Sequence, residues 1–292
     1  MTIGAVSHIM IASSLLALLW GACIGSFLNV CIYRIPNDLS IVSPRSFCPN
    51  CKKQIPWYYN IPLLSYIILG GKCAYCGKYI SFRYFLIETL TAVLFLLVWL
   101  KYELVPGPRQ LMLTPINNIL LVPIYWLAVF GLILGTFVDF DHLIIPDRVS
   151  LGGIVIGLIL SVLVPSMHGQ TSALSGFTRS LIGACAGWGI LWTVGAIGKK
   201  AFKKEAMGFG DVKLLGAIGA FFGWQSVLFN IVVSSFAGSV VGITFVALGK
   251  KEMQSRIPYG PYIALAAVIW ILWGQGIVDG YINWLSTPPV TG

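Results

Sequence analysis

Charged residues are scarce in this sequence. Asp, Glu, Lys and Arg make up 10% of the 292 residues, whereas 57% are hydrophobic, and a soluble domain carries about a quarter charged residues. So few charges cannot give a chain of this length a water-compatible surface, which excludes an ordinary soluble globular protein. There is also no extended polar tail, low-complexity linker or convincing internal repeat. The net charge of +9 therefore indicates basic cytoplasmic loops of a membrane protein and no nucleic-acid partner.

Long apolar stretches take the place of the missing charges. A membrane-spanning helix needs about 20 mostly apolar residues. Candidate stretches lie near residues 7–31, 84–100, 116–138, 149–165, 179–198, 226–248 and 258–278. A shorter run at 212–224 is too brief to cross alone unless it is tilted or partly buried in protein. Because Met1 to Ser7 lack the Lys or Arg of a signal-peptide n-region, we expect the first stretch to be retained.

The distribution of basic residues orients these stretches. If residues 32–83 are cytoplasmic and eight spans alternate, sixteen of the 19 Lys and Arg residues lie inside and three outside. This positive-inside bias supports 212–224 as a span. We therefore predict an all-α polytopic membrane protein with about eight transmembrane helices. The expected divisions are a first helix in residues 1–31, a cytoplasmic cysteine domain in 32–83 and a transmembrane domain in 84–292.

Four of the seven cysteines form two C-x2-C pairs, Cys48/Cys51 and Cys73/Cys76, between the first and second predicted helices. Two thiolates at this spacing reach one metal ion, and two such pairs complete a tetrahedral site. The spacing predicts a structural Zn²⁺ that holds a small zinc-knuckle domain together and leaves no coordination position open for chemistry. Two disulfides or a redox-active pair are the alternatives, and a cytoplasmic location disfavours disulfides.

Acidic residues are rare, with ten Asp and Glu in the whole chain. Asp139, Asp141 and Asp147 follow a long apolar run, and Asp211 opens another behind Gly208-Phe209-Gly210. An ionisable group at membrane depth is by default a functional one. In the eight-span topology Asp139 and Asp211 both lie at the cytoplasmic boundary, where neighbouring helices can bring them together.

Two neighbouring carboxyl groups are suited to acid–base catalysis. They cannot both ionise readily, so one keeps a proton while the other acts as a base. Such a pair deprotonates a water and protonates a peptide carbonyl oxygen. We expect Gly208 and Gly210 to allow unusual backbone angles and close approach of a substrate strand beside Asp211. The alternatives are a helix N-cap role for Asp211, a proton- or ion-coupled transporter, and a non-catalytic zinc-bearing assembly protein.

A series of motifs resembles those of the bacterial type IV prepilin peptidases, also called prepilin leader peptidase/N-methyltransferases. In chain order they are Gly25-Ser26-Phe27-Leu28-Asn29-Val30, Tyr33-Arg34-Ile35-Pro36, Ser43-Pro44-Arg45-Ser46, the two cysteine pairs, Ile80-Ser81-Phe82-Arg83-Tyr84 with Glu88, the segment from Asp139 to Asp147, Gly208-Phe209-Gly210-Asp211-Val212-Lys213 and Ile257-Pro258-Tyr259-Gly260-Pro261. Their order and spacing together make the resemblance specific.

The resemblance implies a multi-pass aspartic peptidase of the GxGD type in the bacterial inner membrane. Asp139 and Asp211 match the family's catalytic pair, whereas Asp141 does not belong to it. Such enzymes cut the basic leader from prepilins and type II secretion pseudopilins after a Gly, at the cytoplasmic face. The expected partners are therefore these substrates and membrane lipid. Lys213 is expected to bias the aspartate pair electrostatically, to bind the substrate, or to snorkel towards the cytoplasm.

Many members of the family then methylate the new α-amino group with S-adenosylmethionine, so the resemblance also implies this methyl donor. No glycine-rich nucleotide fingerprint of the Rossmann type is found in the sequence. Arg45, Arg83 and Glu88 are the candidates for the methyl-donor site. A salt bridge from Glu88 to Arg83 or Arg34 is the alternative explanation for an acid near the start of the second span.

Overall fold

The computed structural model describes residues 3–104, 115–203, 207–248 and 258–286. The α-helices are α1 (Ile3–Arg34), α2 (Leu64–Ile68), α3 (Phe82–Leu104), α4 (Pro115–His142), α5 (Asp147–Leu163), α6 (Ala173–Phe202), α7 (Phe209–Phe222), α8 (Trp224–Ala247), α9 (Gly260–Ile269) and α10 (Gln275–Ser286). A π-turn joins the last two helices, and the described residues contain isolated β-bridges but no strand. Five basic residues used for orientation and one motif residue lie outside the described ranges: Arg109, Lys204, Lys250, Lys251, Arg256 and Ile257.

Helices occupy all eight stretches in which the sequence predicts spans. Within the described residues, six segments are long and apolar enough to cross a membrane, and they belong to α1, α3, α4, α6, α8 and the continuous α9–α10. The helix α5 has 17 residues and α7 has 14. At 1.5 Å per residue these two helices are about 26 and 21 Å long, short of a hydrocarbon core of about 30 Å. The all-α polytopic fold is confirmed, with two of the eight helices shorter than a typical span.

The chain divides into two compact units, Met1–Val138 and Asp139–Gly292. In the first unit, α1 and α3 pack closely because two glycines of α1 face the α3 backbone. A Cβ on Gly25 would lie 2.7 Å from the Glu88 Cα, and one on Gly21 would lie 2.8 Å from the Ala92 Cα. The loop between these helices carries all four cysteines of the two pairs.

The second unit is organised around the short helix α7. Ten of its fourteen residues are buried, so α7 is enclosed by protein. Burial in protein is one of the two conditions under which so short an apolar run was expected to lie within the membrane. Gly183 and Gly187 of α6 lie directly against the backbone at Gly219 and Leu215, and a Cβ on either would overlap a carbonyl. On another side of α7, a Cβ on Gly157 of α5 would lie 2.9 Å from the Ala220 Cβ. Close backbone packing of this kind replaces the hydrophobic effect between helices in lipid.

The glycine contact between α6 and α7 leads to a stability prediction. Gly219→Ala inserts a methyl group against the Gly183 backbone, where no flexible side chain can move away. We expect the free energy of unfolding to fall by about 3 kcal/mol or more. This is at or above the upper end of the cost of overpacking a protein core. The measurement is the thermal unfolding midpoint of detergent-solubilised protein, followed by tryptophan fluorescence. Gly189→Ala is the matched control, because a Cβ there meets nothing within 4 Å. An unchanged midpoint for Gly219→Ala would contradict the packing described.

Candidate active site and cysteine cluster

Asp139 lies in the last turn of α4, at the start of the second unit, and only 5% of its surface is exposed. Its Oδ2 accepts a hydrogen bond of 2.9 Å from the backbone N–H of Gly260, the first residue of α9. A Cβ on Gly260 would lie 2.8 Å from the same oxygen. A glycine is therefore required at this position for the backbone to approach the carboxylate so closely. The sequence motif contains Gly260, but its spacing gives no indication of this contact.

Asp211 lies at the third position of α7 and is also buried, with 8% of its surface exposed. Its carboxylate accepts a hydrogen bond from the N–H of Gly208 and interacts electrostatically with Asp139. The N-cap of α7 is Gly208, so the N-cap assignment for Asp211 is wrong by three residues. An acid at the third position that binds the N-cap N–H is half of a capping box. Asp211 thus closes the helix terminus, and its carboxylate lies within electrostatic range of Asp139.

Unusual backbone angles are absent from the glycines beside Asp211. Gly208 has φ −70° and ψ 137°, and Gly210 is not among the described glycines with positive φ. The expectation of special backbone conformations was therefore wrong, because both residues adopt angles open to any amino acid. The close approach of a substrate strand stays a prediction, whereas the structure shows a close approach of Gly210 to another part of the same chain. A Cβ on Gly210 would lie 3.2 Å from the Cβ of Ile145, a buried residue of the segment between α4 and α5.

Ile145 links the two carboxylate-bearing regions, a role that the sequence analysis missed. Its side chain packs beside Gly210, next to Asp211, and its Cδ1 would lie 3.3 Å from a Cβ on Gly260, the partner of Asp139. The preceding Leu143 has φ 54° and its N–H binds the Asp139 carbonyl. This turn ends α4 directly after the carboxylate and directs Ile145 inwards.

A polar contact also holds the chain that precedes Gly260. The Tyr259 hydroxyl lies 2.8 Å from Ser234 Oγ and 3.3 Å from Ser235 Oγ, both on α8. One turn earlier on α8, the fully buried Asn230 donates from Nδ2 to the Ile263 carbonyl at 2.9 Å. These bonds fix the start of α9 on α8. The signal in the sequence was the presence of polar residues, among them Asn230, Ser234 and Ser235, within a predominantly apolar helix.

Lys213 pairs with an acid outside the buried carboxylates. Its Nζ lies 2.6 Å from Oδ1 of Asp147, the first residue of α5, and 4.9 Å from the centre of the Phe209 ring. The sequence predicted that Lys213 biases the aspartate pair, binds the substrate or snorkels, and none of these alternatives includes this ion pair. Because Lys213 is two residues from Asp211, the pair anchors the start of α7 to the start of α5.

The four cysteine sulfurs of the two pairs form one cluster. All four are free thiols whose Sγ atoms lie within 4.8 Å of one another. The Cys48–Cys76 and Cys51–Cys73 sulfur distances are 3.9 and 4.0 Å. Four sulfurs around one ion at 2.3 Å would lie about 3.8 Å apart, whereas a disulfide brings them to about 2.05 Å. The donor set and its dimensions therefore fit one metal ion.

The backbone of both C-x2-C segments folds in the same way. The N–H groups of Cys48 and Cys73 donate to the carbonyls of Lys53 and Lys78 at 3.0 and 2.9 Å. The residue after each second cysteine, Lys52 or Gly77, has a positive φ of 60° or 67°. Hydrogen bonds from the backbone N–H groups of Cys76 and Tyr75 lower the pKa of the Cys73 thiol. Such bonds favour the thiolate form that a metal requires.

The residues predicted for the methyl donor make different contacts in the first unit. Arg83 donates to the Phe137 carbonyl at 3.2 Å, and Glu88 accepts the Leu63 N–H at 2.8 Å. Arg45 lines a cavity of about 730 Å³ in the first unit, and neither Arg83 nor Glu88 is among its described lining residues. Arg34 donates to the carbonyls of Ser40 and Pro44 at 2.7 and 2.6 Å. Of the three candidates, Arg45 lines this cavity.

Comparisons with known proteins place the chain in a family. Residues 19–102 match the model of the bacterial peptidase A24 N-terminal domain, and residues 126–243 match that of the type IV leader peptidase family. The chain is 34% identical to the prepilin leader peptidase/N-methyltransferase of Aeromonas hydrophila, over 92% of this chain and 93% of the relative. The chain belongs to the type IV leader peptidase family.

Other relatives in the family carry the same name. The protein from Pseudomonas aeruginosa is 32% identical over 94% of both chains. The protein from Myxococcus xanthus is 39% identical over 76% of this chain and 60% of its own length. No solved structure gives a significant match.

The cysteine cluster leads to a prediction on metal content. Elemental analysis of purified protein should find about one tightly bound metal ion per chain, as one tetrahedral four-sulfur site requires. Cys48→Ser should remove it, because three thiolates and a hydroxyl hold the ion far more weakly. Cys185→Ser is the matched control, since Cys185 is a free thiol of α6 outside the cluster. Metal retained in Cys48→Ser, or lost equally in the control, would contradict the assignment.

Proposed function

We propose that this protein cleaves the leader peptides of type IV prepilins and type II secretion pseudopilins, using Asp139 and Asp211 as its catalytic residues. The observation that carries the proposal is the pair of buried, electrostatically coupled carboxylates, each bound by a backbone N–H. Membership of the leader peptidase family and the names of relatives such as those from Aeromonas and Pseudomonas support the same reaction.

The reaction proceeds by direct attack of water. The ionised aspartate of the pair takes a proton from water, whose oxygen forms a bond to the scissile carbonyl carbon. The protonated aspartate gives its proton to the carbonyl oxygen, which yields a neutral tetrahedral intermediate. The intermediate then breaks its C–N bond as the leaving nitrogen accepts a proton from one aspartate, while a hydroxyl of the intermediate gives its proton to the other aspartate and so restores the pair. The leader departs with a new carboxylate and the pilin with a new amine.

Backbone N–H donors explain how the pair holds one proton between two buried acids. A carboxylate that accepts such bonds is stabilised in its charged form without any nearby cation. The N–H groups of Gly260 and Gly208 supply one such bond to Asp139 and Asp211 respectively. Lys213 is paired with Asp147, which leaves the proton of the pair to be shared between the two aspartates.

We also propose which side of the membrane the site faces and which segment of the chain carries each activity. Residues 32–83 and the aspartate pair lie on the cytoplasmic side of the inner membrane, as the positive-inside bias indicates. The basic leader stays in the cytoplasm while the apolar pilin helix lies in the bilayer, so cleavage occurs at the boundary. Residues 84–292 form the peptidase, and residues 32–83 form the methyltransferase part.

N-methylation of the new pilin amine completes the proposed activity, and the names of the relatives support it. S-adenosylmethionine supplies the methyl group as a co-substrate. The unprotonated amine nitrogen forms a bond to the methyl carbon while the S–CH₃ bond breaks. The electron pair of the broken bond goes to sulfur, which gives S-adenosylhomocysteine. Cys48, Cys51, Cys73 and Cys76 would hold Zn²⁺, which four thiolates saturate, so its contribution is to keep the loop folded.

Substitution of the aspartates tests the proposed pair. Asp139→Asn and Asp211→Asn should each reduce cleavage of a purified prepilin by at least about 10³-fold, because an amide can neither accept nor donate the catalytic proton. The readout is the amount of leader-free pilin formed by detergent-solubilised protein, measured by mass spectrometry. Asp141→Asn should retain the wild-type rate. If Asp139→Asn or Asp211→Asn cleaved prepilin at the wild-type rate, the proposed pair would be contradicted. A transporter or a non-catalytic assembly protein would then be the better hypothesis.

The Gly260 contact generates a second, smaller effect on the same reaction. Gly260→Ala places a methyl group against Asp139 Oδ2 and disturbs the N–H bond to it. Loss of a hydrogen bond to a charged group should lower kcat by about tenfold or more, with little change in KM. Gly238→Ala is the control, because a Cβ there makes only ordinary contacts of 3.6 Å or longer. Equal kcat values for the two variants would contradict a role for the Gly260 N–H.

A further inference from the structure

We propose that the cavity of about 730 Å³ in the first unit binds the S-adenosyl methyl donor, with Arg45 on its carboxylate and Trp57 against its adenosyl group. The inference rests on the proposed methyltransferase activity and names its site. The cavity has a volume in the range of about 300–1,000 Å³ typical of small-molecule sites. Its lining residues all lie between positions 27 and 75, within the stretch matched by the bacterial N-terminal domain.

The charge of the cavity selects the ligand class. Its described lining contains the guanidinium groups of Arg34 and Arg45 and no carboxylate. Arg34 is buried and its donors bind the carbonyls of Ser40 and Pro44, so it builds the cavity wall. The exposed Arg45 at the adjoining position is suited to bidentate binding of a carboxylate. The guanidinium group of Arg45 therefore offers a binding point for the amino-acid carboxylate of the donor.

The aromatic residues of the lining suit the rest of the donor. Trp57 is 79% exposed, and the rings of Phe27 and Tyr75 also border the cavity. Exposed rings offer faces on which adenine stacks, and the same faces attract a sulfonium cation. Ser46, Gln54 and Asn60 add neutral hydrogen-bonding groups, which fit the edges of a purine and the hydroxyls of a ribose.

The cysteine cluster holds this cavity in shape. Tyr75 lies between Cys73 and Cys76, and Gln54 pairs through a β-bridge with Phe47, the neighbour of Cys48. The two C-x2-C segments therefore carry parts of the cavity wall on their own backbones. A structural metal in the loop would therefore also support methyl-donor binding. Loss of the metal would free the two C-x2-C segments that line the cavity.

Equilibrium dialysis of tritiated S-adenosylhomocysteine against detergent-purified full-length protein tests the site without relying on turnover. Arg45→Met and Trp57→Ala should each raise Kd by about tenfold or more, from the lost charged hydrogen bonds and the lost stacking. Trp57→Phe should restore most of the affinity. The matched controls are Lys78→Met and Tyr79→Ala, a cation and an exposed ring of the same loop that do not line the cavity. Leader cleavage should persist in all five variants.

The outcomes separate this inference from the proposed peptidase. Unchanged Kd values in both Arg45→Met and Trp57→Ala overturn the site, as do equal losses in the controls. A wild-type protein that cleaves prepilin but binds no labelled S-adenosylhomocysteine also overturns it and leaves the peptidase proposal intact. A wild-type protein that binds the label but cleaves nothing would instead contradict the peptidase. Loss of binding in the two cavity variants alone, with cleavage retained, supports the site.

Discussion

Backbone-to-backbone contact between α6 and α7 determines where Asp211 lies. Gly183 and Gly219 face each other without side chains between them, and Gly187 lies against the Leu215 carbonyl. Lipid provides no hydrophobic force to join two helices, so close van der Waals contact must do so. The short α7 is held inside the second unit by these contacts. The acid at its first turn is thereby kept in protein, where a charged carboxylate needs fixed donors.

The aspartate pair depends on chain ends as much as on helices. Asp139 closes α4, Asp211 opens α7, and Gly260, which binds Asp139, opens α9. Helix termini carry backbone N–H groups without intrahelical partners, and the site uses two of them as donors to its carboxylates. Ile145 fills the space between Gly210 and Gly260. Hydrogen bonds therefore come from rigid backbone, which costs little reorganisation when charge moves during a reaction.

Local sequence signals predicted the parts of this structure whose cause is local. Apolar runs located every long helix, and C-x2-C spacing located the four sulfurs that form one cluster. Scarcity of acids, together with motif order, singled out Asp139 and Asp211. The contacts of Gly260, Ile145 and Lys213 could not be obtained this way, because each joins residues more than 60 positions apart. The error over Gly208 has a related cause: a glycine allows special angles, but only the surrounding packing decides whether they are used.

The central claim is that Asp139 and Asp211 stabilise a tetrahedral intermediate at the leader cleavage site. The most direct test uses a prepilin peptide whose scissile amide is replaced by a secondary alcohol, which resembles that intermediate. The inhibition constant of this peptide should be at least about 100-fold lower than that of an uncleaved amide analogue, because an enzyme binds its transition state most tightly. Asp211→Asn should abolish the difference. Equal affinities of the two peptides for the wild-type protein would contradict the account.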